Sequence, residues 1–126
     1  MFPSVIKQEL YLAFTGLTFA GIMSTAILNP LAEAYAERFS GDEDELLREV
    51  ATYTRETHSH VHMLSGKLQG RLLWMLSKMI RPSRILEIGT FTGYSALCLA
   101  GGLDQNGLLY TIELREEDAL SALGFF

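Results

Sequence analysis

Residues 84–113 read Arg84-Ile-Leu-Glu-Ile-Gly89-Thr-Phe-Thr-Gly93-Tyr-Ser-Ala-Leu-Cys-Leu-Ala-Gly101-Gly-Leu-Asp-Gln-Asn-Gly107-Leu-Leu-Tyr-Thr-Ile-Glu113. The short apolar run ending at Gly89 has the form of a buried parallel strand. Thr90 to Gly93 make a loop, and Tyr94 to Ala100 make a helix that Gly101-Gly102 closes. Asp104 to Gly107 form a turn, and Leu108 to Ile112 form a second apolar strand with Glu113 at its end. Strand, glycine loop, helix and strand in this order are the opening unit of a doubly wound α/β fold.

The chemistry of that unit is local. A glycine loop lets a ligand approach the backbone at the carboxyl end of the first strand. The following helix offers free amides, and an acid ending the second strand can accept hydrogen bonds from a ribose diol. Glu113 lies 24 positions after Gly89, close to the spacing of about 20 in nucleotide-binding units. The expected ligand therefore carries a nucleoside. A dinucleotide fingerprint needs glycine at the third and sixth loop positions, where this chain has Phe91 and Tyr94. The Gly-Lys-Ser/Thr of a phosphate-binding loop is absent. Glu87 would repel a pyrophosphate and suits an ammonium or sulfonium group, which points to S-adenosylmethionine (SAM).

The run from Leu86 to Ala96 resembles motif I of the class I SAM-dependent O-methyltransferases, and most closely the catechol and caffeoyl-CoA O-methyltransferase-like group with its bacterial members. Gly93-Tyr94-Ser95 is characteristic of that group, and Met63 to Gly70 resembles its helix start before motif I. The resemblance runs from about Leu31 to Asp118. It implies N-terminal helices followed by the first β-α-β unit of a Rossmann-like SAM-methyltransferase fold. It implies that Glu87 and Gly89 line the methionine end of the cofactor and that Gly93 and Ser95 hold its carboxylate end. Thr90 and Phe91 belong to the same cofactor loop. Glu113 would take the ribose hydroxyls, and Met63 and Gly66 would lie beside the cofactor and the acceptor. The implied reaction moves a methyl group from sulfonium to the hydroxyl oxygen of a small phenolic or catechol-like acceptor. A divalent cation, usually magnesium, orients that acceptor in many members as a Lewis acid. The family's metal-binding acids and catalytic lysine follow later strands, so no metal ligand or general base is assigned here. The expected fold is incomplete at its C-terminus, with an unpaired strand edge. Ala119 to Phe126 reads as an alternative reading-frame end rather than the family's next helix. A non-catalytic SAM-binding or dimerisation remnant is the competing function.

Before this unit the chain divides in two. Residues 29–80 read as a helical lead-in and 81–126 as the SAM-binding segment. Asn29-Pro30 is a helix start, with Leu31, Ala34 and Tyr35 on one face. Asp42 with Glu45 reads as a variant capping box, followed by a stripe of Leu46, Leu47, Val50 and Thr54 to about Thr57. The acids here read as a solvated first turn rather than a metal site. A third helix is expected from about Ser65, with Leu68, Leu72, Met75, Leu76 and Met79 as its core-facing stripe and an end at Arg81-Pro82. Lys67, Arg71, Lys78, Arg81 and Arg84 fall in a stretch without acids, read as a solvated face. His58, His60 and His62 alternate and read as exposed loop histidines, with a zinc site or a pocket entrance as alternatives.

Residues 1–28 form an apolar extension. Leu10 to Leu28 is 19 positions without a charge, near the length of about 20 that crosses a bilayer. Thr15, Gly16, Thr18, Gly21, Ser24 and Thr25 dilute it. The favoured expectation is a non-native extension with translation starting at Met23; a membrane or export segment is the alternative. The chain has 126 residues, 15 acidic and 10 basic, for a net charge of −5. Such an acidic chain is a poor nucleic-acid binder. The single cysteine, Cys98, allows no internal disulfide and fits a reducing cytoplasm. The expected partners are a small hydroxyl acceptor and a second copy as a homodimer. Mass spectrometry of the natural protein's N-terminus should find a species beginning near Met23; a species beginning at Met1 would overturn that expectation.

Overall fold

The computed structural model describes residues 29–126. Five helices and two strands follow in the order α1 (Pro30–Phe39), α2 (Glu45–Thr57), a 3-10 turn (Val61–Met63), α3 (Gly66–Ile80), β1 (Arg84–Ile88), α4 (Tyr94–Ala100), β2 (Leu108–Ile112) and α5 (Glu116–Leu123). The reading of residues 10–28 lies outside the described residues. Among those described, no helix is long and apolar enough to cross a membrane.

β1 and β2 pair in parallel, with Arg84 opposite Leu108 and Ile88 opposite Ile112. The backbone N–H of Gly89 extends this ladder by donating to the Ile112 carbonyl at 2.8 Å. Side chains alternate across the sheet. Glu87 is buried and Ile85, Leu109 and Thr111 are half-buried, while Leu86, Ile88, Leu108, Tyr110 and Ile112 are exposed. The Glu87 side marks the helix-covered face, because Ser95 of α4 reaches Glu87 there. The described sheet has two strands, so each has an unpaired edge.

Helix starts follow local capping chemistry. The Asn29 side chain accepts from the Leu31 N–H at 2.9 Å with Pro30 in the first turn, as expected. The cap of α2 is Asp44, which accepts from the Leu47 N–H at 2.9 Å; this corrects the assignment to Asp42. Only Asp44 stands immediately before the first helical residue, where a carboxylate reaches the free amides. Asp42 instead lies 3.7 Å from Lys67. Nor is the acidic cluster simply solvated, since Glu43 accepts a hydrogen bond from the Tyr94 hydroxyl.

Leu47, Val50 and Ala51 of α2 meet Tyr94 and Cys98 of α4 in the core, with Leu64, Leu73, Leu97 and Phe125 packed around them. The Thr54 hydroxyl donates to the Val50 carbonyl at 2.7 Å. Its one proton is thereby used, so the buried Thr92 hydroxyl is the donor in their 2.8 Å contact. Two helical faces differ from expectation. Leu31, Ala34 and Tyr35 of α1 are exposed. In α3, Leu72, Met75, Leu76 and Met79 are exposed and Leu68 is half-buried, while the buried positions are Gly70 and Ser77. The face that packs on α4 is the one with small side chains. A Cβ on Gly70 would stand 2.7 Å from the Tyr94 ring, and one on Gly102 only 2.1 Å from the Ser77 backbone. Close approach of the two helices wins over the apolar stripe.

The C-terminal segment also departs from expectation. Residues 116–123 form a helix that buries Asp118 and Ala122, and Phe125 packs edge-on against Tyr53 at 5.4 Å between ring centres. Three acids in its first turn favour the helix dipole.

Two measurements follow from this packing. Gly102→Ala should cost about 3 kcal/mol in urea unfolding, because the added methyl has only Ser77 backbone to displace. Burial, reinforced by Asp44 and Glu43, pushes the Cys98 thiol up to about 11. Cys98 should therefore resist a thiol reagent near neutral pH until the chain is unfolded.

Candidate functional site

The loop between β1 and α4 is set by backbone conformations that favour glycine. Gly89 has φ +94° and Gly93 has φ +92°, with Phe91 between them at φ +52°. Among the described residues, no atom beyond the adjoining residues lies within 4 Å of where a Cβ on Gly89 would stand, and the same holds at Gly66. These are open cradles beside the backbone, as a closely approaching ligand requires. Gly93 differs: a Cβ there would meet the Phe126 ring at 2.9 Å. Its missing side chain admits the C-terminal residues beneath the loop.

Beneath the loop, four polar side chains form one directed chain of hydrogen bonds. Ser95 Oγ donates to Glu87 Oε1 at 2.6 Å, and Thr111 Oγ1 donates to Glu87 Oε2 at 2.7 Å. Thr111 has then used its proton, so Thr90 is the donor in the 2.5 Å contact between the two threonines. Glu87 is held as a buried acceptor and keeps lone pairs for a further donor.

Glu113 follows β2 and, among the described residues, is bound by backbone N–H groups alone. Its Oε2 accepts from Thr90 N at 3.0 Å and Phe91 N at 2.7 Å. Its Oε1 accepts from Leu114 N at 2.9 Å and Arg115 N at 3.0 Å. Partial burial pushes its pKa up, and these four N–H bonds outweigh that and hold it below the ordinary 4.5. A ribose diol at this carboxylate would exchange with some of these backbone donors.

Met63 comes to the same end of the sheet, with Sδ 3.7 Å from Arg115 Nη2. The structure thus joins Glu87, Thr90, Ser95 and Thr111 in one network, and Thr90, Phe91, Glu113 and Met63 around a second. Gly66 opens α3 with φ +71°. Among the histidines, His60 and His62 are exposed, but His58 is half-buried with Nε2 2.8 Å from Asp118 Oδ1. That corrects its reading as a plain loop histidine. Thr111, Arg115 and Asp118 were not singled out in the sequence as site residues, and His58 was weighed only as a zinc ligand or pocket-entrance residue, not as a partner of Asp118. The spacing of Arg115 and Asp118 at i and i+3 was the available signal. Among the described residues, no group of three or more His, Cys, Asp or Glu side chains could hold a metal ion.

Comparison with known proteins shows the family and the fold. The O-methyltransferase family model matches residues 37–126. The chain belongs to that family. It is 37% identical over 89 residues to catechol O-methyltransferase domain-containing protein 1 of Mus musculus, covering 71% of this chain and 33% of that protein. It is 33% identical over 75 residues to a caffeoyl-CoA O-methyltransferase of Stellaria longipes, covering 60% and 31%. Among solved structures, an O-methyltransferase from Bacillus cereus in complex with S-adenosylhomocysteine (SAH) superposes with TM-score 0.67 at 30% identity, covering 75% of this chain and 43% of that one. TomG, an O-methyltransferase from Streptomyces achromogenes in complex with SAM, superposes with TM-score 0.66 at 37% identity, covering 75% and 42%. The chain spans about a third of the length of these curated relatives. Its fold is the N-terminal helices and first β-α-β unit of the Rossmann-like methyltransferase architecture.

The position of Glu113 has a pH signature. A carboxylate whose folded pKa is depressed contributes stability above its unfolded value, and that contribution is lost as pH falls through the folded pKa. Glu113→Gln should be less stable than the parent at neutral pH. The difference should shrink as pH falls below the ordinary 4.5 and through the depressed folded pKa. A difference constant with pH would show that the ionised carboxylate contributes nothing.

Proposed function

We propose that this chain binds SAM and is the cofactor-binding part of an O-methyltransferase acting on the hydroxyl oxygen of a small catechol-like or phenolic acceptor. The observation that carries this reading is the juxtaposition of Glu113 with the Gly89–Gly93 loop at one end of the parallel pair. The open cradle at Gly89 fits close approach of a ligand to the loop backbone. Glu113, Thr90 and Phe91 are the residues to hold the adenosine side. Glu87 is the residue to face the charged methionine end, with Gly89, Gly93 and Ser95 around it and with Met63 and Gly66 flanking the site. The bound cofactor supplies an activated methyl on a sulfonium.

Glu87 and Glu113 are both acceptors, so their work is to bind and orient a cation and a diol. The chain's own residues thus supply cofactor binding. Orientation by a divalent cation, a family feature, falls outside what the described residues supply. The names of the relatives support the acceptor class. A homodimer is proposed on the exposed apolar faces of α1 and α3, and a cytoplasmic location on the unpaired, buried Cys98.

Calorimetric titration with SAH tests the binding directly. The parent chain should bind, and Glu113→Ala should bind at least about tenfold more weakly, as loss of charged hydrogen bonds implies. Absence of binding at millimolar SAH would overturn the proposal, and unchanged affinity in the variant would overturn the ribose assignment. A methyl-transfer assay on catechol with magnesium separates a transferase from a non-catalytic cofactor binder.

A further inference from the structure

Asp118 is 1% exposed, yet it lies in a helix facing the cofactor loop. Two cationic or potentially cationic side chains converge on it. His58 Nε2 stands 2.8 Å from Oδ1. Arg115 Nε stands 2.6 Å from Oδ2 in an ionic contact, while that oxygen accepts no directed hydrogen bond among the described residues. The protonation pattern of His58 follows from its other nitrogen. Nδ1 lies 3.0 Å from the His60 backbone N–H and accepts from it, so the ring proton is on Nε2 and is donated to Asp118.

Both partners of Asp118 then meet one side chain. The His58 ring stands edge-on to Phe91 with centres 4.4 Å apart. The Arg115 guanidinium lies 5.8 Å from the centre of the same ring. Phe91 is 8% exposed and has a left-handed backbone, a conformation that neighbouring contacts must hold for a bulky residue. The N–H groups of Phe91 and Arg115 are two of the four donors to Glu113.

We propose that Asp118 is a positioning residue for the cofactor site, acting through His58 and Arg115 to fix the Phe91 ring and, through the Phe91 and Arg115 amides, the orientation of the Glu113 carboxylate. This rests on the reading of Glu113 as the ribose acceptor. Asp118 touches no ligand in this role. It ties the end of α2, the start of α5 and the glycine loop to a common point. Without it the loop conformation around Phe91 loses two of its side-chain supports.

The test uses the full chain with SAH as probe, by calorimetry and by long-range proton–nitrogen NMR of the histidine rings. In the parent, His58 should show the Nε2–H tautomer. Asp118→Asn and His58→Asn should each weaken SAH binding about tenfold, the effect of losing one charge-assisted hydrogen bond, and should shift the Phe91 ring and amide resonances. Glu43→Gln, which disturbs the buried Tyr94 contact elsewhere on α4, should lower the unfolding temperature while leaving SAH affinity within about twofold. Unchanged affinity in Asp118→Asn, or an equal loss in Glu43→Gln, would overturn the proposal. If Asp118→Asn does not fold, Arg115→Gln gives the same comparison, because it keeps the backbone donor and removes the ion pair. If the parent fails to bind SAH, the cofactor reading fails. The network is then judged by the resonances alone, and an unshifted Phe91 in these variants overturns it.

Discussion

The carboxylate of Glu113 closes the end of the parallel strand pair. Two of its four backbone donors come from the loop after β1 and two from the residues after β2. The amides of Thr90 and Phe91 lie past the end of the β1–β2 ladder and need other acceptors. One acidic side chain at the end of the neighbouring strand satisfies both. The loop shape, the register of β1 against β2 and the start of α5 therefore share a single polar anchor. A parallel pair needs a crossover between its strands, and here the seven residues of α4 supply its helix.

The second constraint is proximity. α3 and α4 pack through Gly70, Ser77 and Gly102, so backbone stands close to backbone, and Ser77 Oγ donates to the Leu99 carbonyl at 2.5 Å. This contact explains why the larger apolar side chains of α3 point elsewhere. Small residues let two helices share a short separation that leucine or methionine would prevent. The buried polar groups on the other side of α4 follow the same economy of space: Thr54 and Thr92 satisfy one another and a helix carbonyl without a bulky partner.

The β-α-β unit was legible in the sequence because its signals agree at every level. Apolar runs, glycines, a helix and a terminal acid fall in the order that one fold requires. The positions of Glu87 and Glu113 were legible too, but not their partners. Hydroxyl groups from Ser95 and Thr111 reach Glu87 from two different elements, and periodicity carries no information about such contacts. The orientation of α3 was misread for a physical reason. An amphipathic stripe identifies an apolar face but does not say what lies opposite it, whereas Gly70 and Ser77 report close packing only once a neighbouring helix is known. The helix at 116–123 was missed because the tail from Ala119 to Phe126 was read apart from the three acids, Glu116 to Asp118, that open the helix. Its decisive residue is Asp118, whose burial depends on His58, 60 positions earlier.

The one-sided sheet has a kinetic consequence. On the α4 side, the β1–β2 hydrogen bonds lie beneath packed side chains. On the other, among the described residues, Leu86, Ile88, Tyr110 and Ile112 form a single exposed layer. Water therefore reaches the strand amides through a thinner barrier than it meets at the amides of α2 behind Val50 and Ala51, which are 0% exposed. Hydrogen exchange would be graded from the helical side to the open side, so that the strands bearing the cofactor loop exchange faster than the core-facing turns of α2.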